Sequence, residues 1–221
     1  MNHADMGARR HEMVATQIEA RGVSEPRVLA AMRAVPREDF VEPDWRGHAF
    51  DDNPLPIAAG QTISQPYIVA FMAEALQLQG SERVLEIGTG SGYAAAVLGR
   101  LAKEVHTVEC IAVLAETAAA TLAAQGAHNV HVHHADGSLG WPAAAPYDAI
   151  VVTAAGPVVP AALKAQLAMG GRLVMPVGAR EGHQRLVRVT RSGAHDEREE
   201  TLMDVRFVPL TGAQGWGRER R

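Results

Sequence analysis

Cysteine is nearly absent from this chain: Cys110 is the single one among 221 residues. An internal disulfide is therefore excluded, and a reducing compartment is expected. A lone cysteine at a strand end reads most simply as a small buried hydrophobe. No apolar run approaches the length that spans a bilayer, and the polar start "MNHADMGARRHE" lacks the apolar core of a signal peptide. The expectation is a cytoplasmic protein with no membrane partner. A surplus of positive charge is also missing: the formal net charge is -4, which gives no bulk electrostatic reason to bind nucleic acid or an anionic surface. The closing "RERR" is too short to change that and reads as a solvated tail. Internal repeats and low-complexity segments are absent as well.

What the chain does have is 47% hydrophobic residues, enough for one ordinary core. Residues 1–79 read as a helical cap with a loop. Val14 and Ile18 repeat at helical spacing, and "SEPRVLAAMRAV" opens on a candidate cap, Ser24, with a proline in its first turn. Pro36, Pro43, Pro54 and Pro56 then break the chain into irregular structure. From Gln65 to Leu78 the residues Ile68, Met72, Ala75 and Leu76 form one helix face. After Gly80 the pattern becomes alternating strand and helix: "RVLEIG", "YAAAVLGRLA", "VHTVE", "IAVLAETAAATLAAQG" closed by Gly126, "NVHVHHAD" and "YDAIVVTAA". A further helix is expected to open near Pro157 and to end before Gly170 and Gly171. Such alternation predicts an α/β fold with a mostly parallel, doubly wound sheet over residues 80–221. "GRLVMPVG", "QRLVRVTRSG" and "ETLMDVRFVPL" follow as strands, so a C-terminal antiparallel hairpin is expected around Ser192 and Gly193. Cap and core should form one globular unit, and a monomer is expected.

"VLEIGTGSGYAAAV" places Gly88, Gly90 and Gly92 at alternate positions between a strand and a helix. Glycines there let the backbone turn sharply and approach a ligand closely, with helix amides aimed at it. From Gly90 the same stretch satisfies the dinucleotide pattern G-x-G-x-x-A, so the loop alone leaves nucleotide ligands, and a merely structural turn, open. Three acids accompany it. Glu86 lies inside the apolar strand, where an unpaired carboxylate is costly, so it is expected to meet a polar ligand or the loop amides. Glu109 ends the next strand about 20 residues past the first glycine, where a carboxylate can accept bonds from both ribose hydroxyls. Asp136, in "ADG", ends the third strand and is as easily a solvated loop residue as a ligand. His128, His131, His133 and His134 crowd that strand, with His131 and His133 on one face. No further metal ligand is evident beside them, so they are expected to be surface residues and no metal site is assigned.

"VLEIGTGSGY" resembles the first motif of Rossmann-like S-adenosylmethionine-dependent methyltransferases. "GQTISQPYIVA", "APYDAIVVTAA", "GGRLVMPVG" and "VRFVPL" together resemble the protein-L-isoaspartate O-methyltransferase family, in order from about Met13 to Thr211. The glycine loop is shared widely among methyltransferases, whereas "QTISQP" and "RFVPLT" are much more specific. The resemblance implies methyl transfer from S-adenosyl-L-methionine to the free carboxylate of isoaspartyl residues in damaged proteins and peptides. It implies that Glu86, Gly88, Gly90 and Gly92 hold the methionine part of the cofactor, that Glu109 takes the ribose, and that Asp136 and Gly137 lie near the adenine. Gln61, Thr62, Ile63 and Ser64 would flank the transferred methyl, and Thr211 would close the site. Thr62, Ile63, Ser64, Val208 and Leu210 would receive the substrate. One departure stands out: Ala135 replaces a glycine common in the family, which matters if that position needs a positive backbone angle.

"QTISQP" offers Ser64 as the candidate catalytic residue with no acid or base beside it. The resemblance implies an acceptor that is already ionised, since a free carboxylate has an ordinary pKa of about 4. Ser64 would then orient the acceptor rather than attack or be deprotonated. Its place before Gln65 and Pro66 also suits a helix N-cap, and the two roles can coexist. Three other readings remain open at this level, the first being another methyltransferase of the same class. A nicotinamide-dependent oxidoreductase fits "GSGYAA" but leaves "QTISQP" unexplained, and a non-catalytic scaffold is disfavoured by intact Glu86, Glu109 and Ser64.

Overall fold

The computed structural model describes residues 3–193 and 196–217. The closing "RERR" therefore lies outside the described residues. The cap begins with α1 (His3–Met13), a wider π turn over Val14–Ile18, and a 3-10 turn that Gly22 stops at φ +98°. Helix α2 (Pro26–Ala34) follows, and its cap is Glu25 rather than Ser24: the Glu25 carboxylate accepts the Arg27 amide. Ser24 instead donates its own amide to Glu74 at 2.7 Å. Past the proline-rich stretch come the two-residue strands β1 (Leu55–Pro56) and β2 (Thr62–Ile63), which pair antiparallel, and then α3 (Pro66–Ala75).

The core alternates as the sequence predicts: β3 (Arg83–Ile87), α4 (Tyr93–Gly99), β4 (Glu104–Glu109), α5 (Ala112–Ala124), β5 (Val130–His134) and β6 (Tyr147–Val152). Here the expectation of one long helix fails. Pro157 and Pro160 delay its start, so α6 covers only Ala161–Ala165, and Leu167 already joins β7 (Leu167–Gly178). Pairing of β6 with β7 runs from Tyr147 opposite Leu167 to Ala149 opposite Arg172, a bulge that absorbs Gly170 and Gly171. Sheet pairing thus outranks the helical pattern at that point. Strands β8 (Gln184–Arg191) and β9 (Glu197–Val205) complete a seven-stranded sheet of order β5-β4-β3-β6-β7-β8-β9. The first five strands are parallel neighbours, and β8 and β9 are antiparallel.

Strand alternation sends neighbouring residues to opposite faces. Val84, Ala149, Val151, Val174 and Leu186 pack with the cap and α4, whereas Leu85, Ile87, Ile150, Val152 and Leu173 pack with α6 and Leu210. Both faces are thereby closed to water, as a parallel sheet requires. Because residues of α1, α2 and α3 share one buried cluster with the sheet, the cap is fixed over the strand ends. Among the described residues no helix is long and apolar enough to cross a membrane.

Candidate active site

The carboxyl ends of β3, β4 and β6 open onto a cavity of about 900 Å³. The glycine loop forms part of its wall because the chain has only five residues between Ile87 and Tyr93 in which to turn from strand to helix. Gly88 makes that turn at φ +95°, and a Cβ there would collide with Thr153 Oγ1. A side chain at this position would be both strained and obstructed. Thr153 Oγ1 donates to Gly88 O at 2.7 Å, tying the end of β6 to the loop. Gly90 lines the cavity, whereas Gly92 does not: at φ +89° it caps α4 and packs on Leu122 and Ala118.

Glu109, at 6% exposure, ends β4 on the cavity wall. Its Oε2 accepts the Gly90 amide and its Oε1 the Ile111 amide, both at 3.0 Å. Each oxygen retains capacity for a second bond. Glu86 departs from expectation, since it is fully buried and meets neither the cavity nor the loop amides. Thr107 Oγ1 donates to its Oε2 at 2.6 Å, Thr89 and Thr107 share a hydrogen bond of 2.6 Å, and Glu86 Oε1 has no partner among the described residues. Burial pushes its carboxyl up to about 8, against the opposing Thr107 bond and with the Glu109 charge adding to the rise. Burial therefore favours its neutral form.

Asp136 is half-buried and lies outside the cavity wall. Its Oδ1 accepts the amide and hydroxyl of Ser138 at 2.9 and 2.7 Å, and its Oδ2 accepts the Ala213 amide at 2.8 Å. It thus anchors the segment after Thr211, while its neighbour Gly137 reaches the cavity. Ala135 fits without strain: Ala59 and Gln77 are the non-glycine residues with positive φ among those described.

The facing wall comes from the cap and the C-terminal segment. Gln61, Thr62, Ile63 and Ser64 line it from the loop before α3, and Val208, Leu210 and Thr211 from the chain after β9. The N-cap of α3 is Gln65, without a side-chain capping bond, so Ser64 is not the cap expected. Gln65 Nε2 instead donates to Asp52 O at 2.9 Å. The half-buried Ser64 is left on the cavity wall. Cys110 is not a buried hydrophobe either: it lines the cavity half-buried, with its Sγ 3.6 Å from Thr211 Oγ1.

Sequence reasoning missed Arg21, Tyr67, Thr153, Arg206 and Phe207, which also line this space. Thr153 and Phe207 sit inside "VVTAA" and "RFVPL", so those motifs carried a signal. For Arg21 there was none, because its place depends on how the cap folds back. The histidines lie elsewhere and are only partly at the surface. His133 stacks on Trp141 with centroids 4.0 Å apart and shares a 3.0 Å hydrogen bond with His106, while His131 stays exposed.

The sheet order, the glycine loop after the first parallel strand and the acid ending the second define a Rossmann-like S-adenosylmethionine-dependent methyltransferase. Over residues 8–215 the chain matches the model of the Protein-L-isoaspartate(D-aspartate) O-methyltransferase family, and it belongs to that family. It is 66% identical over 209 residues to Protein-L-isoaspartate O-methyltransferase 1 of Rhodopseudomonas palustris (strain HaA2), covering 95% of this chain and 85% of the relative. A solved protein-L-isoaspartate O-methyltransferase superposes with a TM-score of 0.83 at 29% identity, over 93% of this chain and 67% of that one. A Plasmodium falciparum protein described as a β-aspartate methyltransferase, in complex with S-adenosyl-L-homocysteine, shares the fold with a TM-score of 0.78 at 22% identity, over 91% and 98% of the two chains. Nothing in these comparisons supports an oxidoreductase or a non-catalytic scaffold.

Proposed function

We propose that this chain transfers a methyl group from S-adenosyl-L-methionine to the free carboxylate of L-isoaspartyl residues in damaged proteins and peptides, which starts their repair through a succinimide. One observation carries the reading: a family match over residues 8–215 whose specific segments, "QTIS" and "VPLT", meet the glycine loop in a single cavity. The residues fit the cofactor. Positive-φ glycines leave open backbone at the cavity wall, and Glu109 beside them keeps acceptor capacity. When bound, S-adenosyl-L-methionine supplies a methyl group on a positively charged sulfur.

The chain's own part is positional. Gly88 and Gly90 let the backbone close on the ligand, and Glu109, held by two amides, presents its remaining lone pairs to the ribose. Gly137 borders the adenine side, with Asp136 acting through the loop it anchors. Gly92 supports the turn from behind. On the facing wall, Gln61, Thr62 and Ile63 border the reacting centre and Ser64 donates a hydrogen bond to the acceptor. The acceptor is ionised at neutral pH, so no group need remove a proton. Rate then comes from alignment and from exclusion of water by Val208, Leu210 and Thr211. The methyl ester goes on to lose methanol, giving a succinimide whose hydrolysis partly restores normal aspartate.

We take residues 1–79 as the cap and residues 80–221 as the methyltransferase core of one globular unit, acting as a monomer in the cytoplasm, with isoaspartyl proteins and peptides as partners and no nucleic acid or membrane. Calorimetric titration with S-adenosyl-L-methionine and, separately, with a nicotinamide dinucleotide tests the class directly. Binding of the first and not the second is expected, and the reverse would overturn the reading.

A further inference from the structure

The outer half of the cavity opens between the cap and the end of β9, and three charged side chains line it: Arg21, Asp204 and Arg206. Two of them have partners. Arg21 donates to Asp52 Oδ2 at 2.6 Å and lies 3.5 Å from the centroid of the Tyr67 ring. Asp204 Oδ1 is 3.4 Å from His183 Nε2, a contact between two exposed side chains that offsets the Asp204 charge only when the imidazole is protonated. Arg206 is exposed and has no partner among the described residues.

Its backbone, by contrast, is held firmly. Val205 pairs with Gln184 at the end of β8, and the buried Gln184 side chain accepts the Phe207 amide at 2.6 Å and donates to Phe207 O at 3.2 Å. The structure thus fixes the base of Arg206 and leaves its guanidinium uncommitted at the mouth of the acceptor side. An exposed cation is badly placed to hold the reacting oxygen, which must lie where water is excluded. It is well placed to meet a charge on a neighbouring residue of the peptide.

Resting on the proposed isoaspartyl activity, we propose that Arg206 sets sequence preference: it favours isoaspartyl peptides that carry a carboxylate next to the damaged residue over those that carry a cation there. The protein's overall charge has the opposite tendency, but screening within about 8 to 10 Å at ordinary ionic strength leaves the local charge in control. A rim charge acts on encounter and binding, so the preference belongs in KM rather than kcat.

The test uses two peptides that share one isoaspartyl residue and differ only in a flanking Glu or Lys. At low ionic strength the wild-type protein should show kcat/KM about two- to fivefold higher for the Glu peptide, the range for an exposed ion pair. The contrast should vanish in Arg206→Gln, reverse in Arg206→Glu, and shrink in 0.5 M salt. Thermal unfolding of both variants checks that they fold, and Arg206→Gln alone decides the matter if the reversal variant does not. Equal kcat/KM for the two peptides with wild-type protein, or an unchanged contrast in Arg206→Gln, would overturn the proposal while leaving the activity standing. Absence of methyl transfer to either peptide would overturn the activity itself, and the proposal with it.

Discussion

Glu109 and Gly90 are joined by a 3.0 Å hydrogen bond from the loop amide to Oε2, so the acid at the end of β4 also holds the glycine loop that begins at the end of β3. Replacing Glu109 with Ala removes a cavity-facing acceptor and a loop anchor together. Affinity for S-adenosyl-L-methionine should fall by about 1.5 to 3 kcal/mol, the range for hydrogen bonds to a charged group. Calorimetry measures it, and unchanged affinity would remove Glu109 from the site.

Glu86 gives a pH signature of the opposite sign to an ordinary carboxylate. Its folded pKa, raised to about 8 chiefly by burial, lies above the ordinary value of 4.5, so the folded state holds the proton across that window. The stabilisation is complete below about pH 4.5 and is lost as pH rises through 8. Glu86→Gln cannot ionise. The variant should therefore gain on the wild-type protein from pH 5 to pH 8.5, by on the order of a few kcal/mol. Urea unfolding of the ligand-free proteins follows the difference, and one that does not change with pH would contradict the assignment.

His133 works in the other direction. Burial, followed by the charges of His106 and His131, lowers its pKa from 6.5 to about 4. A depressed folded pKa means stability that is present above pH 6.5 and lost as pH falls toward 4. Glu104 is the acid facing the cluster, 3.4 Å from His106 Nε2 and 3.5 Å from His131 Nε2. Glu86 gains stability as pH falls through the same window, so the His133 contribution is a fall between pH 6.5 and about 5 superposed on that rise, and it is read by comparing urea midpoints with a variant. In His133→Phe, which keeps an aromatic surface against Trp141, that fall should be smaller. Parallel pH curves for the two proteins would show that His133 is not the group responsible.

The places of Gly88, Gly90 and Glu109 on the cavity wall were legible in the sequence because they follow from local chemistry. Gly88 must turn a strand into a helix wherever the rest of the chain goes, and Glu109 ends a short apolar strand. What failed depended on contacts between distant segments. The pairing of Leu167 with Tyr147 shortened the expected helix, and the Thr107 hydroxyl one strand away gave Glu86 its partner. The Ala213 amide ties Asp136 to the C-terminal segment, and Gln65 took the cap position assigned to Ser64. Arg21 reaches the cavity mouth only because Asp52 and Tyr67 hold it there.

Ser64 lies on the cavity wall without a capping role, so its removal should be felt in turnover rather than in folding. Ser64→Ala should lose about 10- to 1000-fold in kcat, in the range for one positioning contact. Its thermal midpoint and its affinity for S-adenosyl-L-methionine should change little. The wild-type kcat should stay level from about pH 6 to pH 8, because no group must act as a base. Undiminished turnover in the variant, or a steep rise of the chemical step through neutral pH, would contradict the positional role.

The central claim is tested most directly with one peptide made in two forms, one carrying L-isoaspartate and the other normal L-aspartate at the same position. Each is incubated with the protein and S-adenosyl-L-methionine labelled in its methyl group, and the base-labile methyl ester is counted. Label on the isoaspartyl form alone is the predicted result. Equal labelling of both forms, or label on neither, would contradict it.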